Sequence, residues 1–272
     1  MTFTKIYNDI KSLKIQGAEA VAKAGLKALK LKSDKDSIKK IISARPTEPA
    51  LRNAIKFSQI SSIDNALTHF TLSEKIIPKI GAKKIHSKKI IFTHCHSSTV
   101  ISILKEAKNQ RKTFEVHNTE TRPLLQGRKT AKELSKMGIK VHHFVDSGAR
   151  LALKKADLML IGCDAITSEG KVINKIGSEM MAEVAERHDT PVYVCTDSWK
   201  FDPMTTFGFD VEIEKRQARE IWKNPPKNVK IYNYAFEKIN PNLITGIISE
   251  LGVHSPDNFV REVTKAYSWM LK

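Results

Sequence analysis

Two apolar runs each end on a residue able to move protons. Ile90-Ile91-Phe92 leads into Thr93-His94-Cys95-His96-Ser97-Ser98, and Leu158-Met159-Leu160-Ile161 leads into Gly162-Cys163-Asp164. Each run reads as a short buried strand that stops where small and polar residues begin. In open parallel sheets, ligands bind beyond the carboxyl ends of the strands. A thiol and a carboxylate delivered to that edge form a candidate acid–base pair, Cys95 and Asp164. Ser97 or Ser98 is placed to cap the following helix, whose free N–H groups would face an anion. That field is expected to lower the Cys95 pKa. The competing assignment is a buried structural Cys beside a capping Ser. Asp164 follows directly on a buried strand, so its pKa is expected to rise towards a useful range.

Three further loops carry functional groups. Asn118-Thr119-Glu120-Thr121-Arg122-Pro123 is followed by Gln126-Gly127-Arg128. The planar fork of Arg122 suits two phosphate oxygens at once. Glu120 is placed to orient it, to bind a sugar hydroxyl, or to form a purely structural pair with it. Asn174 and Lys175 follow Asp164 by ten and eleven residues and can fold back over the same pocket. Lys200, after Val192–Cys195, brings a further cation to the edge, although a lone Lys there is usually solvated. The nine histidines show no metal-ligand spacing; His94 and His96 should alternate on a strand and face opposite sides. No G-x-G-x-x-G follows any strand, which argues against a dinucleotide site.

The elements that must position these loops change character along the chain. Residues 1–85 read as helical. Ile15, Ala18, Val21, Ala22, Leu26, Leu29 and Leu31 recur at helical spacing, and Ser-Asp-Lys-Asp-Ser at 33–37 separates them from Ile38–Ile42. Pro46 and Pro49 break the chain before a helical stretch from Leu51 through Phe70. A further helix begins at Ser73 and ends near Gly81–Lys84. From residue 86 strands and helices alternate. Candidate strands are Lys89–Thr93, Thr113–His117, Val141–Val145, Leu158–Ile161, Pro191–Cys195 and Val229–Tyr232. Candidate helices include Ser98–Asn109, Thr130–Lys136, Ala149–Lys155 and Glu179–Arg187. This alternation predicts an α/β fold with a mainly parallel sheet over 86–272, with its strand-to-helix loops gathered on one edge.

Composition narrows the partners. The 272 residues carry a net charge of +17, and residues 1–87 hold 17 Lys/Arg against 7 Asp/Glu. Such a surface attracts anions: phosphorylated metabolites, an acidic protein or nucleic acid. Aromatic content is only 7%, with no stacking motif or zinc-finger spacing to support nucleic-acid readout. No apolar stretch approaches a membrane span, and the N-terminus lacks a signal-peptide core. Three cysteines without paired spacing point to a reducing, cytoplasmic setting.

Taken together, these segments resemble one superfamily. It holds the regulatory subunits of eukaryotic translation initiation factor 2B, their archaeal homologues, methylthioribose-1-phosphate isomerase and archaeal ribose-1,5-bisphosphate isomerase. The matching segments are Ser43-Ala44-Arg45-Pro46-Thr47-Glu48, Thr93-His94-Cys95, Thr119–Pro123 with Gln126-Gly127, Asp146-Ser147, Gly162–Ile166 and Asn174–Gly177. Leu243-Ile244-Thr245 and Glu250-Leu251-Gly252-Val253 are also similar. The resemblance implies a helical N-terminal domain (1–85) and a Rossmann-like α/β domain (86–272) carrying the site and a dimer interface.

By the same resemblance, Cys95 and Asp164 occupy the positions that transfer protons in the isomerases. Gln16, Gly17, Arg45, Glu120, Arg122, Asn174, Lys175 and Lys200 stand where a phosphorylated sugar would bind. Such an isomerisation, most simply of ribose 1,5-bisphosphate to ribulose 1,5-bisphosphate, needs no cofactor and no metal. The chain departs from the isomerase pattern at Gln16, where an Arg is usual, at His96, where an Asn is usual, and at Cys163. Gln16, His96 and the basic N-terminal segment fit the alternative, a non-catalytic scaffold that binds an initiation factor 2 subunit or senses a nucleotide or sugar phosphate.

Overall fold

A computed structural model describes residues 2–272. Five helices come first: α1 (Phe3–Lys11), α2 (Ala18–Leu31), α3 (Lys35–Ala44), α4 (Pro49–Ile60) and α5 (Ile63–Ala82). Their apolar faces follow the expected spacing, and Val21, Leu26 and Leu29 of α2 are buried. The break in the third helical stretch falls elsewhere than expected. The helix from Leu51 ends at Ile60, and Ser61-Ser62 separates it from one long helix that runs through Phe70 and Ser73. The Ser62 hydroxyl accepts from the Asn65 N–H at 3.0 Å, so a capping hydroxyl starts the new helix. Helix α1 lies within the stretch expected to be helical, though it is too short for its own periodicity to stand out.

The rest of the chain builds a seven-stranded sheet. Its members are β1 (Lys89–Thr93), β2 (Phe114–Thr119), β3 (Lys140–Phe144), β4 (Leu158–Ile161), β7 (Val192–Cys195), β9 (Gly246–Ser249) and β10 (Gly252–His254). The spatial order is β10-β9-β7-β4-β1-β2-β3, parallel throughout except for β10. A small antiparallel sheet of β5 (Ala165–Ile166), β6 (Val172–Lys175) and β8 (Phe236–Ile239) stands beside it. The crossovers are α6 (Ser98–Asn109), α7 (Gln126–Lys136), α8 (Ala149–Leu153) and α9 (Ser178–Glu186); α10 (Pro256–Ala266) follows β10.

Five expected strands lie within two residues of observed ones. The sixth, Val229–Tyr232, is irregular: it lies in a long segment with few hydrogen-bonding neighbours, so its β-branched residues have no strand to pair with. The helical segment packs directly on the sheet, because Leu26 and Phe70 share one apolar cluster with Phe92, Met159 and Val194. No helix among the described residues is long and apolar enough to cross a membrane.

Strand order reverses at β1 and β4. The chain runs outward from β1 to β2 and β3, then returns to β4 on the other side. In such sheets the gap beyond the carboxyl ends of the two central strands is the natural ligand crevice. Cys95 follows β1 by two residues and Asp164 follows β4 by three.

Candidate active site

A cavity of about 370 Å³ opens at this reversal point. Cys95 and Asp164 both line it, together with Gln16, Gly17 and Arg45 from the helical segment. Asn174, Lys175 and Lys200 close the other side. Eight of the ten residues picked from the sequence thus surround one space. Its volume suits a small-molecule ligand.

Cys95 is held in an unusual backbone state. Its φ is +67°, a left-handed conformation that costs a non-glycine residue of order 1–3 kcal/mol. Two threonines hold it there. The Cys95 N–H donates to Thr121 Oγ1 at 3.0 Å, and the Thr130 hydroxyl donates to the Cys95 carbonyl at 2.8 Å. Ser97 caps α6, accepting from the Val100 N–H at 3.4 Å. The expected depression of the thiol pKa does not occur. Burial pushes the Cys95 thiol up to about 11, and Lys175 only partly opposes it. Desolvation of a thiolate outweighs one nearby cation and a helix start whose N–H groups Ser97 already engages.

Asp164 behaves as its position suggests. Burial raises its pKa, while Lys200, Lys175 and Arg45 pull it back. Lys200 is not a solvated lysine. It is 8% exposed, and its ammonium donates to the Cys163 carbonyl at 2.7 Å. Burial works against its charge, but Cys163, Asp164, Asp197 and Glu48 hold its pKa above the usual lysine value. Lys200 is fixed there because Asn53 of α4 donates to the carbonyls of Trp199 and Phe201, each at 2.8 Å. Lys175 lies with its Nζ 4.6 Å from the centre of the Phe236 ring. Asn174 is buried and donates to Ser178 Oγ at 2.9 Å. The Gln16 amide donates to the Leu13 carbonyl at 2.7 Å, which shapes the turn before α2.

Glu120 and Arg122 do not join the cavity lining. Glu120 accepts from Arg128 Nη2 at 3.1 Å, and Arg122 is exposed, its backbone N–H donating to Asp146 Oδ2 at 2.6 Å. The residue between them explains why. Thr121 has φ +63° and turns its own hydroxyl inward to the Cys95 N–H, which sends its neighbours outward. His94 and His96 stand in the loop after β1 rather than on it. His94 bridges Thr119 Oγ1, at 2.6 Å from Nδ1, and the Ile176 carbonyl, at 2.9 Å from Nε2. Burial lowers its pKa, so it stays neutral and braces the loops.

Several lining residues had no role assigned from the sequence. Gln126 stood within a matching segment; its Oε1 is buried without a hydrogen-bond partner among the described residues. Glu48 stood within another. Glu214 and Arg216 come from the irregular stretch before β8, where no local pattern announces them. The two guanidinium groups of the lining are paired with carboxylates: Arg45 with Glu48 at 2.7 Å and Glu214 at 3.5 Å, Arg216 with Glu220 at 2.7 Å. An entering phosphate would compete for these guanidinium groups.

Comparison with known proteins decides the lineage. Residues 13–256 match the profile of the Initiation factor 2 subunit family. The chain belongs to this family. Within the Initiation factor 2 subunit family it is similar to the ribose 1,5-bisphosphate isomerase of Pyrococcus furiosus, at 35% identity over 98% of this chain and 95% of that protein. The ribose 1,5-bisphosphate isomerase of Thermococcus kodakarensis is 34% identical, with the same coverage. A crystal structure of the translation initiation factor eIF-2B from Pyrococcus horikoshii OT3 superimposes with a TM-score of 0.85 at 28% identity, covering 95% of this chain and 98% of that one. The reversal-point cavity is therefore set in an architecture shared across the Initiation factor 2 subunit family.

Proposed function

We infer that the chain is an aldose–ketose isomerase that converts ribose 1,5-bisphosphate to ribulose 1,5-bisphosphate. One observation carries the inference: near-full-length relatives at 34–35% identity are ribose 1,5-bisphosphate isomerases, and this chain retains both Cys95 and Asp164 on a single cavity. The cations Arg45, Lys175 and Lys200 around that cavity suit a substrate with two phosphates.

The chemistry needs only proton movements. A sugar esterified at C1 cannot open by hemiacetal chemistry, so the ring oxygen must receive a proton as the C1–O4 bond breaks. Asp164, its pKa raised by burial, supplies it. The resulting cation at C1 acidifies the C2 hydrogen. Cys95 takes that proton as a thiolate, and the C–H electrons form a C1–C2 double bond. The thiol then returns the proton to C1 while the C2 hydroxyl passes its proton to Asp164. The net result is a ketone at C2 and an open chain, with both groups reset. Burial keeps Cys95 a thiol at neutral pH. Its proton must pass to solvent water as substrate binds, and Lys175 is the cation whose charge favours the thiolate. Pairing into a homodimer belongs to the same proposal, supported by the exposed Phe207, Phe209, Trp222 and Tyr232.

The test is turnover of ribose 1,5-bisphosphate by the purified chain, read as ketose product. Cys95→Ser and Asp164→Asn should each lower kcat by ~10²–10⁴-fold while leaving the fold intact. Absence of ketose from the wild type, or full activity in both variants, defeats the assignment.

A further inference from the structure

Glu48 is the least explained group in the cavity. It is 2% exposed, and its backbone occupies the position just before α4. Helix starts favour Ser, Thr, Asp or Asn there, because a short side chain can accept from the first free N–H groups. Glu48 makes no such capping bond. Its side chain turns to the cavity instead. One carboxylate oxygen, Oε1, accepts from Arg45 Nη2 at 2.7 Å. The other, Oε2, is buried with no hydrogen-bond partner among the described residues. A buried carboxylate oxygen left bare is costly, and in native proteins such a group is completed by water, an ion or a ligand, or serves a catalytic role.

The surroundings limit what that ligand can be. Arg45 pairs with Glu48 and Lys200 adds a second positive charge, while Asp164 and Glu214 add negative charge. Burial and the Asp164 charge push the Glu48 carboxyl up to about 7, against the pull of Arg45 and Lys200. A phosphate oxygen presented to Oε2 would meet like charge. A neutral hydroxyl would not, and it can donate to the carboxylate or accept from the acid.

We propose that Glu48 is a substrate-contacting residue whose free oxygen binds a hydroxyl of the sugar while its other oxygen steers Arg45 towards a phosphate. The assignment rests on the sugar-phosphate reading of the cavity. It makes Glu48 the group that distinguishes a phosphorylated sugar from phosphate alone, because only the sugar offers a neutral, carbon-bound hydroxyl displaced from the phosphate charge. Loss of a hydrogen bond to a charged group reduces binding or turnover by about 10- to 100-fold.

The experiment compares the wild-type chain with Glu48→Ala, Glu48→Met and Glu48→Gln. Affinities for ribose 5-phosphate and for inorganic phosphate are measured by calorimetry, and turnover is measured with ribose 1,5-bisphosphate. The alanine variant should lose about 10- to 100-fold in affinity for ribose 5-phosphate relative to phosphate. Its kcat/KM should fall by a similar factor. Glu48→Met fills the same space without polar atoms and should give the same ratio, which decides the matter where the alanine variant is unstable. Glu48→Gln keeps hydrogen-bonding ends without the charge and should recover most of the loss. Equal changes for ribose 5-phosphate and phosphate overturn the proposal, because Glu48 would then serve only to neutralise Arg45. A wild type that turns over no ribose 1,5-bisphosphate removes the isomerase assignment, while the affinity ratio still decides the role of Glu48.

Discussion

Cys95 shows how two opposing fields are settled by magnitude. Lys175 and the His96 backbone N–H favour the thiolate; burial disfavours it and wins, leaving the thiol at about 11. The consequence is measurable without substrate. At pH 7.5 iodoacetamide should modify native Cys95 about a hundredfold more slowly than a free cysteine thiol, since the thiolate is the reacting species. Lys175→Met should slow it further, because it removes the cation that most favours ionisation. Cys163 and Cys195 are fully enclosed and also raised, so peptide mapping should find neither labelled before Cys95. Labelling of Cys95 at the rate of free cysteine would show that burial does not raise its thiol, and faster labelling would restore the low pKa expected from the helix start.

At the scale of elements, the two loops that carry Cys95 and Asp164 touch through Gly162. A Cβ built on this glycine would lie 2.7 Å from Ser97 Oγ and 2.8 Å from Ser97 Cβ. Ser97 caps α6, two residues beyond Cys95. Gly162→Ala should therefore displace the cap and cost about 1 kcal/mol in urea denaturation. It should lower kcat by more than that loss implies, because Cys95 shifts with Ser97. Unchanged stability and kcat would show that the loops approach less closely than this. The sequence announced these loops because buried parallel strands read as apolar runs that stop abruptly, and both runs stop where the structure ends β1 and β4. The small sheet was not legible. Ala165–Ile166 is two residues long, and β6 ends in the polar Asn174-Lys175, so neither displays a strand period. Val229–Tyr232 displays one and has no partner. Glu214 and Arg216 reach the cavity through long-range packing of an irregular segment, which no local pattern encodes. Conversely, Glu120 and Arg122 had the right chemistry; the left-handed turn at Thr121 aims them away.

For the whole molecule, a buried polar cluster ties the helical segment to the sheet. His69 of α5 lies 2.9 Å from Asp197 Oδ2, beyond β7, and 4.0 Å from Glu250, beyond β9. Trp199 stacks on the imidazole at a centroid distance of 3.8 Å. Ser198 and the Tyr267 hydroxyl donate to Glu250, the latter at 3.2 Å. Burial would strip the charge from His69, but Asp197 and Glu250 hold its pKa above the usual histidine value. Burial also pushes Glu250 up to about 7, with Asp197 adding to the rise and His69 opposing it. A carboxyl whose pKa is higher folded than unfolded keeps its proton better in the folded state. Its contribution to stability is therefore greatest below the unfolded value of ~4.3 and declines as pH rises to about 7, then levels off. Glu250→Gln removes that titration while keeping a hydrogen-bonding group in place. The stability of Glu250→Gln relative to wild type should climb between pH 4.5 and 7.5, by up to ~3 kcal/mol, with no further gain above. His94 and His96, whose pKa values burial lowers, titrate in both proteins and cancel in the difference; His69, whose pKa Glu250 helps to raise, does not cancel, and its attraction to the ionised carboxylate makes the climb smaller than Glu250 alone would give. Urea denaturation of both proteins across that range reads the difference directly. A constant difference would mean that Glu250 stays ionised in the folded chain and that water reaches the cluster joining α5 to the sheet.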